Sequence, residues 1–184
     1  MYVQLNGWII LIMVVGFWAF RTIIIYRKKQ YSIFKNWPWQ MSFLYFLAVG
    51  YLTMRPFYFQ IPFETREFSF DTHLFYNLLH MADGYLAYQL LYSVGNIMLF
   101  VPLGFLLPML NKKFHSIILV VMIGFLVSLS IELTQATFTI TRFGTVDDLV
   151  FNTFGAFIGI TIFRLFNFLT NRLFYFSTNS SKGN

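Results

Sequence analysis

Three carboxylates, two arginines and three side-chain amides stand out in this chain: Glu132, Asp147 and Asp148; Arg55 and Arg142; Asn96, Gln135 and Asn152. Glu132 and Gln135 are three residues apart, so a helix presents both on one face. Asp148, Asn152, Gly155 and Gly159 follow an i, i+4, i+7, i+11 stripe, which suits a face turned toward protein rather than lipid. Two arginines can grip an anionic group through charge-assisted hydrogen bonds. The carboxylates can relay a proton, or with Asn152 serve as oxygen ligands of a divalent cation. The chain has no cysteine, so thiolate metal sites, disulfides and cysteine nucleophiles are excluded.

The elements that must carry these residues are set by composition. Of 184 residues 58% are hydrophobic and only 11% charged, too few for a water-facing surface. Five apolar stretches approach the length that crosses about 30 Å of hydrocarbon. They run over 5–25, from Trp37 to Arg55, 88–110, 114–134 and 147–167. The expectation is an all-α integral membrane helical bundle of about five transmembrane helices. Its parts are a first helix with a basic loop (1–36), a bundle domain (37–172) and a polar tail (173–184) in which disorder is expected beyond Ser177. The second stretch is short, although Pro38 suits a first helical turn and Trp37 and Trp39 suit an interface.

Charge sets the expected orientation in the cell membrane. Ten of the 13 Lys/Arg fall in the connections 26–36 and 111–113, in the C-terminal region, or at Arg21, whereas Arg55, Arg66 and Arg142 lie on the other side with all seven acids. The positive-inside rule then puts the N-terminus outside and the C-terminus in the cytoplasm. The net charge of +6 is spread in short segments flanking apolar runs, which fits lipid head groups and argues against nucleic acid. The connection from Pro56 to Asp83 holds aromatics, four acids, His73 and His80; it is expected to hug the outer interface, with a short amphipathic helix at 75–81.

Each candidate also has a purely structural reading. Thr145 with Asp148 three residues later matches a capping box, in which the carboxylate would reach back to free amides at the helix start. Gly155 and Gly159 form a G-x-x-x-G pair that lets helices approach, within the bundle or in a homodimer. Asn96 suits interhelical glue, and Arg55 an interface anchor. A carboxylate such as Glu132 at the membrane edge needs a partner or a wet cavity; a structural ion pair with Arg142 or Arg55 would serve.

The blocks from Gly95-Asn96 through Pro102-Leu103-Gly104 to Pro108, from Ser130 through Glu132 to Gln135, and from Arg142 through Asp147-Asp148 to Asn152 and Gly155, together with Arg55-Pro56, resemble the VanZ-like family of bacterial membrane proteins. The resemblance covers roughly residues 45 to 165 and leaves the first helix and the tail outside. It implies a bacterial membrane protein, associated in the founding example with resistance to the glycopeptide teicoplanin. The signature residues it carries over are Arg55, Asn96, Glu132, Gln135, Arg142, Asp147, Asp148 and Asn152. It brings no catalytic mechanism and leaves any cofactor unknown.

Two function classes follow. One is an envelope protein that binds or moves an anionic lipid-linked or cell-wall precursor at the outer leaflet, with the arginines holding the anion. The other is a membrane-embedded, metal-assisted hydrolase or transferase acting on a lipid-linked phosphate, with Asp147, Asp148, Glu132 and Asn152 around the metal. No H-E-x-x-H motif is present to support the second.

Overall fold

A computed structural model describes residues 2–4, 7–27, 37–55, 58–60, 68–76, 79, 86–139 and 141–180. Five helices dominate: α1 (Gly7–Arg27), α2 (Trp37–Met54), α3 (Leu86–Leu110), α4 (Ile117–Phe138) and α5 (Val146–Ser180). Short strands accompany them: β1 (Tyr2–Gln4) pairs antiparallel with β2 (Tyr58–Gln60), and β3 (Phe70–Asp71) pairs parallel with β4 (Gly144–Thr145). These pairings gather residues 2–4, 58–60 and 68–76 and the start of α5 at one end of the bundle. At the other end a 3-10 turn (Lys112–His115) joins α3 to α4.

Four helices, over Gly7–Ile24, Leu86–Leu110, Ile117–Phe138 and Val146–Arg172, are long and apolar enough to cross a membrane. The chain is a helical membrane bundle. The second stretch does form a helix of 18 residues, but α2 does not join that group, because Trp37, Pro38, Trp39 and Gln40 make its first turn less apolar.

The core lies where α3, α4 and α5 meet, around Phe100, Leu103, Leu107, Val120 and Ile160. Small residues bring α3 and α5 together. A Cβ at Gly155 would strike the carbonyl of Ile97, one at Gly159 the carbonyl of Val101, and one at Gly104 the carbonyl of Ala156. The G-x-x-x-G pair therefore serves packing inside one chain, and the homodimer it could also have supported is not needed to explain it. Outward-facing side chains are large and apolar, among them Ile118 at 77% exposure, Met98, Met122 and Leu165. Such a surface suits lipid and not water.

The end with the 3-10 turn is tightly closed. The Asn111 side chain accepts from the Lys113 N–H (3.0 Å), the Ser116 hydroxyl accepts from the Leu119 N–H (3.4 Å) and so caps α4, and Arg164 on α5 donates to the His115 carbonyl (2.6 Å).

One expectation is revised. The fifth helix does not stop near Asn167: α5 runs 35 residues to Ser180, through much of the tail expected to be disordered. No Pro or Gly interrupts the run from 160 to 180, and Phe168, Leu169, Leu173 and Phe174 continue its apolar character. The connection before α3 supplies β2 and β3. Most of the helix expected at 75–81 lies outside the described residues, as do Lys28, Lys29, Lys35, Pro56, Arg66, His80 and the acids Glu64, Glu67 and Asp83.

Candidate functional site

The site grows from the start of α5. Gly144 must be small, because a Cβ there would press on the Glu132 carbonyl (2.6 Å) and on the Phe70 ring. This close approach brings Thr145 beside α4. Thr145 then caps α5 in the expected way: its hydroxyl accepts from the Asp148 N–H at 3.1 Å. The second half of the capping box departs from expectation. The Thr145 N–H donates to Glu132 Oε2 at 3.0 Å, so the reciprocal carboxylate comes from α4 and not from Asp148.

Glu132 is only 1% exposed, and a carboxylate at that depth is costly without donors. The bond from Thr145 and the positive end of the α5 dipole offset that cost. The ion pair anticipated with Arg142 or Arg55 does not form among the described residues. Arg142 acts on Glu132 and Asp148 through space only.

Because Glu132 supplies the cap, the Asp148 side chain is free to face α3. Its Oδ1 accepts from the Tyr92 hydroxyl and from Asn96 Nδ2, the latter at 2.6 Å. Tyr92 and Asn96 are four apart and share one face of α3. One turn further along α5, the buried Asn152 donates to the Ser128 hydroxyl at 2.9 Å, and its own Oδ1 has no partner among the described residues. Asp147 turns elsewhere. It accepts from the Phe75 N–H at 2.6 Å and so holds the 68–76 segment over the start of α5. Phe75 has φ 59°, an uncommon backbone for an aromatic residue, and its ring rests 5.9 Å from that of Phe151.

A second cluster closes the adjoining end of α2. Gln135 Nε2 donates to the Thr53 carbonyl at 2.8 Å, and Arg142 Nε donates to the Arg55 carbonyl at 3.3 Å. Both serve carbonyls that the end of a helix leaves without intrahelical partners. The Thr139 hydroxyl lies between the carbonyls of Gln135 (2.8 Å) and Arg142 (3.2 Å) and shapes the turn that delivers the arginine. The Arg55 guanidinium sits 5.5 Å over the Tyr51 ring.

The eight candidates thus lie at one end of the bundle but form two groups and two separate contacts. Glu132, Asp148 and Asn96 join through Thr145 and Tyr92. Arg55, Arg142 and Gln135 close α2 against α4. Asp147 and Asn152 each serve a separate neighbour. The oxygen ligands of the metal-dependent alternative are thereby engaged in different directions, and no group of three or more His, Asp or Glu is gathered among the described residues.

Sequence reasoning passes over Tyr92, Ser128 and Thr139. Each carries a positional signal: Tyr92 precedes Asn96 by four residues, Ser128 precedes Glu132 by four, and Thr139 follows Gln135 by four. His73 is exposed and bonds Asp71 within its own segment at 3.0 Å, and Asp71 is the β3 partner of Thr145.

A multi-pass bundle whose polar side chains collect at one end of otherwise apolar helices is the class these features define. The VanZ/LLP1 family model matches residues 8–167, and the chain belongs to that family. The match takes in α1, which the sequence resemblance left outside. No curated protein and no solved structure matches the chain.

Proposed function

We propose that this protein binds an anionic component of the bacterial envelope, a phosphorylated or carboxylated lipid or cell-wall precursor, at the outer leaflet. Arg55 and Arg142 are the grip. In this reading the end of the bundle that holds them faces outward and the C-terminus lies in the cytoplasm, as the distribution of Lys and Arg suggests. By occupying or displacing such a component, the protein lowers how much of a glycopeptide such as teicoplanin reaches its target or membrane anchor.

One observation carries the reading. Both arginines are exposed, side by side through the Arg142 Nε to Arg55 carbonyl bond, and neither is in an ion pair among the described residues. The neighbouring carboxylates Glu132, Asp147 and Asp148 already accept hydrogen bonds from protein donors. Among the described residues these three carboxylates therefore have donors, while the two cations have no anionic partner. An incoming phosphate or carboxylate can then accept charge-assisted hydrogen bonds from both guanidinium groups. Glu132 and Asp148 act here as positioning residues, since they fix the start of α5 and the turn from which Arg142 projects.

The test is teicoplanin susceptibility in a host whose phenotype depends on this protein, measured with membrane abundance. Arg55→Ala and Arg142→Gln at normal abundance should raise susceptibility toward that of cells lacking the protein. Wild-type susceptibility from both variants would remove the reading.

A further inference from the structure

A groove of about 280 Å³ runs between α2 and α4, open to the lipid side and lined by Phe46, Val49, Gly50, Met54, Val127 and Ile131, among others. It follows the halves of both helices nearest the arginines. The hydroxyls along it have no proton left to donate to a ligand, because Thr53 donates to the Val49 carbonyl (2.8 Å), Ser130 to the Leu126 carbonyl (2.8 Å) and Thr134 to the Ser130 carbonyl (2.6 Å). A side chain of Thr or Ser bonded in this way presents mainly carbon to the groove. No Cβ stands at Gly50, where the nearest 4 Å is empty, so the α2 wall is hollowed there.

The groove ends at Met54 and Thr134, and the residue after Met54 is Arg55, whose carbonyl Arg142 holds. The apolar lining thus stops one residue short of Arg55; neither arginine lines the groove itself, and neither is in an ion pair among the described residues. The Gln135 to Thr53 bond ties α2 to α4 at that end, so groove and cations are fixed relative to each other.

We infer that the groove seats one hydrocarbon chain of a phosphate-bearing lipid whose head group is held by Arg55 and Arg142. The inference rests on the anion-binding reading above and narrows it, committing the ligand to a lipid and excluding a soluble anion. A lipid chain in the surrounding bilayer is already in an apolar phase, so the groove gains little from hydrophobic transfer; its contribution is close packing and alignment of the head group. Selectivity comes from the arginines, and chain attachment restricts the anion to the leaflet they face.

The experiment uses the full chain purified in detergent with a mixture of phosphatidic acid and neutral phosphatidylcholine, with retained lipid measured by mass spectrometry. Soluble glycerol 3-phosphate is the tail-less comparison. Wild type should retain phosphatidic acid over phosphatidylcholine and bind glycerol 3-phosphate at least roughly tenfold more weakly. Gly50→Leu and, independently, Ser130→Leu should cut phosphatidic acid retention by roughly tenfold. Both place a leucine in open, lipid-facing helix surface, and an unchanged elution profile and thermal midpoint verify the fold. Gly50→Ala, which leaves most of the groove, should behave nearly as wild type.

Retention unchanged in both leucine variants but lost in Arg55→Ala would overturn the groove and leave the arginine grip standing. Glycerol 3-phosphate binding as tightly as phosphatidic acid would do the same. Equal retention of phosphatidylcholine would overturn selection by charge, and retention unaffected by any of the variants would remove the groove and the arginine grip together.

Discussion

The buried Glu132 carboxylate on α4 accepts the backbone N–H of Thr145 at 3.0 Å, completing from a different helix the capping box that opens α5. That single bond fixes α5 to α4, leaves Asp148 free to face α3, and so ties the three most closely packed helices together at the end where the arginines lie.

Glu132→Ala removes the acceptor and leaves a buried N–H without a partner, which should cost about 1–3 kcal/mol. Glu132→Gln keeps an oxygen in place and should recover most of that loss. Thermal unfolding of the purified variants checks both. Equal destabilisation by Ala and Gln would mean that charge, and not the bond to Thr145, is what Glu132 supplies.

Thr145→Ala removes the hydroxyl that accepts from the Asp148 N–H and should cost about 0.5–2 kcal/mol, whereas Thr145→Ser should be close to wild type. Hydrogen exchange offers a local reading. In the Ala variant, amides at 146–149 should exchange faster, and those of the α3–α4 turn at 111–116 should not change.

Tyr92 and Asn96 donate to the same Asp148 oxygen, so their contributions should not add. Tyr92→Phe and Asn96→Ala are each expected to destabilise, and the double variant should depart from their sum by about 0.5–3 kcal/mol. Strict additivity in a double-mutant cycle would show that the two donors act independently.

Gly155→Ala should cost about 1–3 kcal/mol because its methyl group meets the Ile97 carbonyl, which belongs to the α3 backbone and cannot swing aside. Gly95→Ala lies in open space on α3 and should be neutral or stabilising, by up to about 1 kcal/mol from helix propensity. Opposite outcomes at these two glycines in one unfolding assay separate close packing from propensity.

Local rules make part of this site legible in the sequence. The threonine cap of α5 needs only residues three apart, and the Gly155/Gly159 face needs only helical spacing, so residue order alone reveals both. The bundle itself follows from apolar length, although α2 falls short because its aromatic and polar first turn dilutes an otherwise apolar helix. What spacing does not show is which carboxylate completes the cap. Glu132 reaches Thr145 only because β4 lies back against α4 and Gly144 admits the α4 backbone, a tertiary event with no periodic signature. Tyr92 is hidden for a related reason: among so many aromatic residues, one tyrosine carries no weight until its hydroxyl is found on Asp148. The C-terminal region reads as a disordered tail because its polar residues mask a run that no Pro or Gly interrupts before Ser180.

The most direct test of the central claim is lipid retention by the purified full chain carrying Arg55→Ala together with Arg142→Gln, the second chosen to keep a donor for the Arg55 carbonyl. From a mixture of phosphatidic acid and phosphatidylcholine, wild type should hold the phosphate lipid selectively and the double variant should lose that selectivity while melting within a few degrees of wild type. Undiminished selectivity in a folded double variant would contradict the account, because the two exposed cations assigned to the anion would then have no part in holding it.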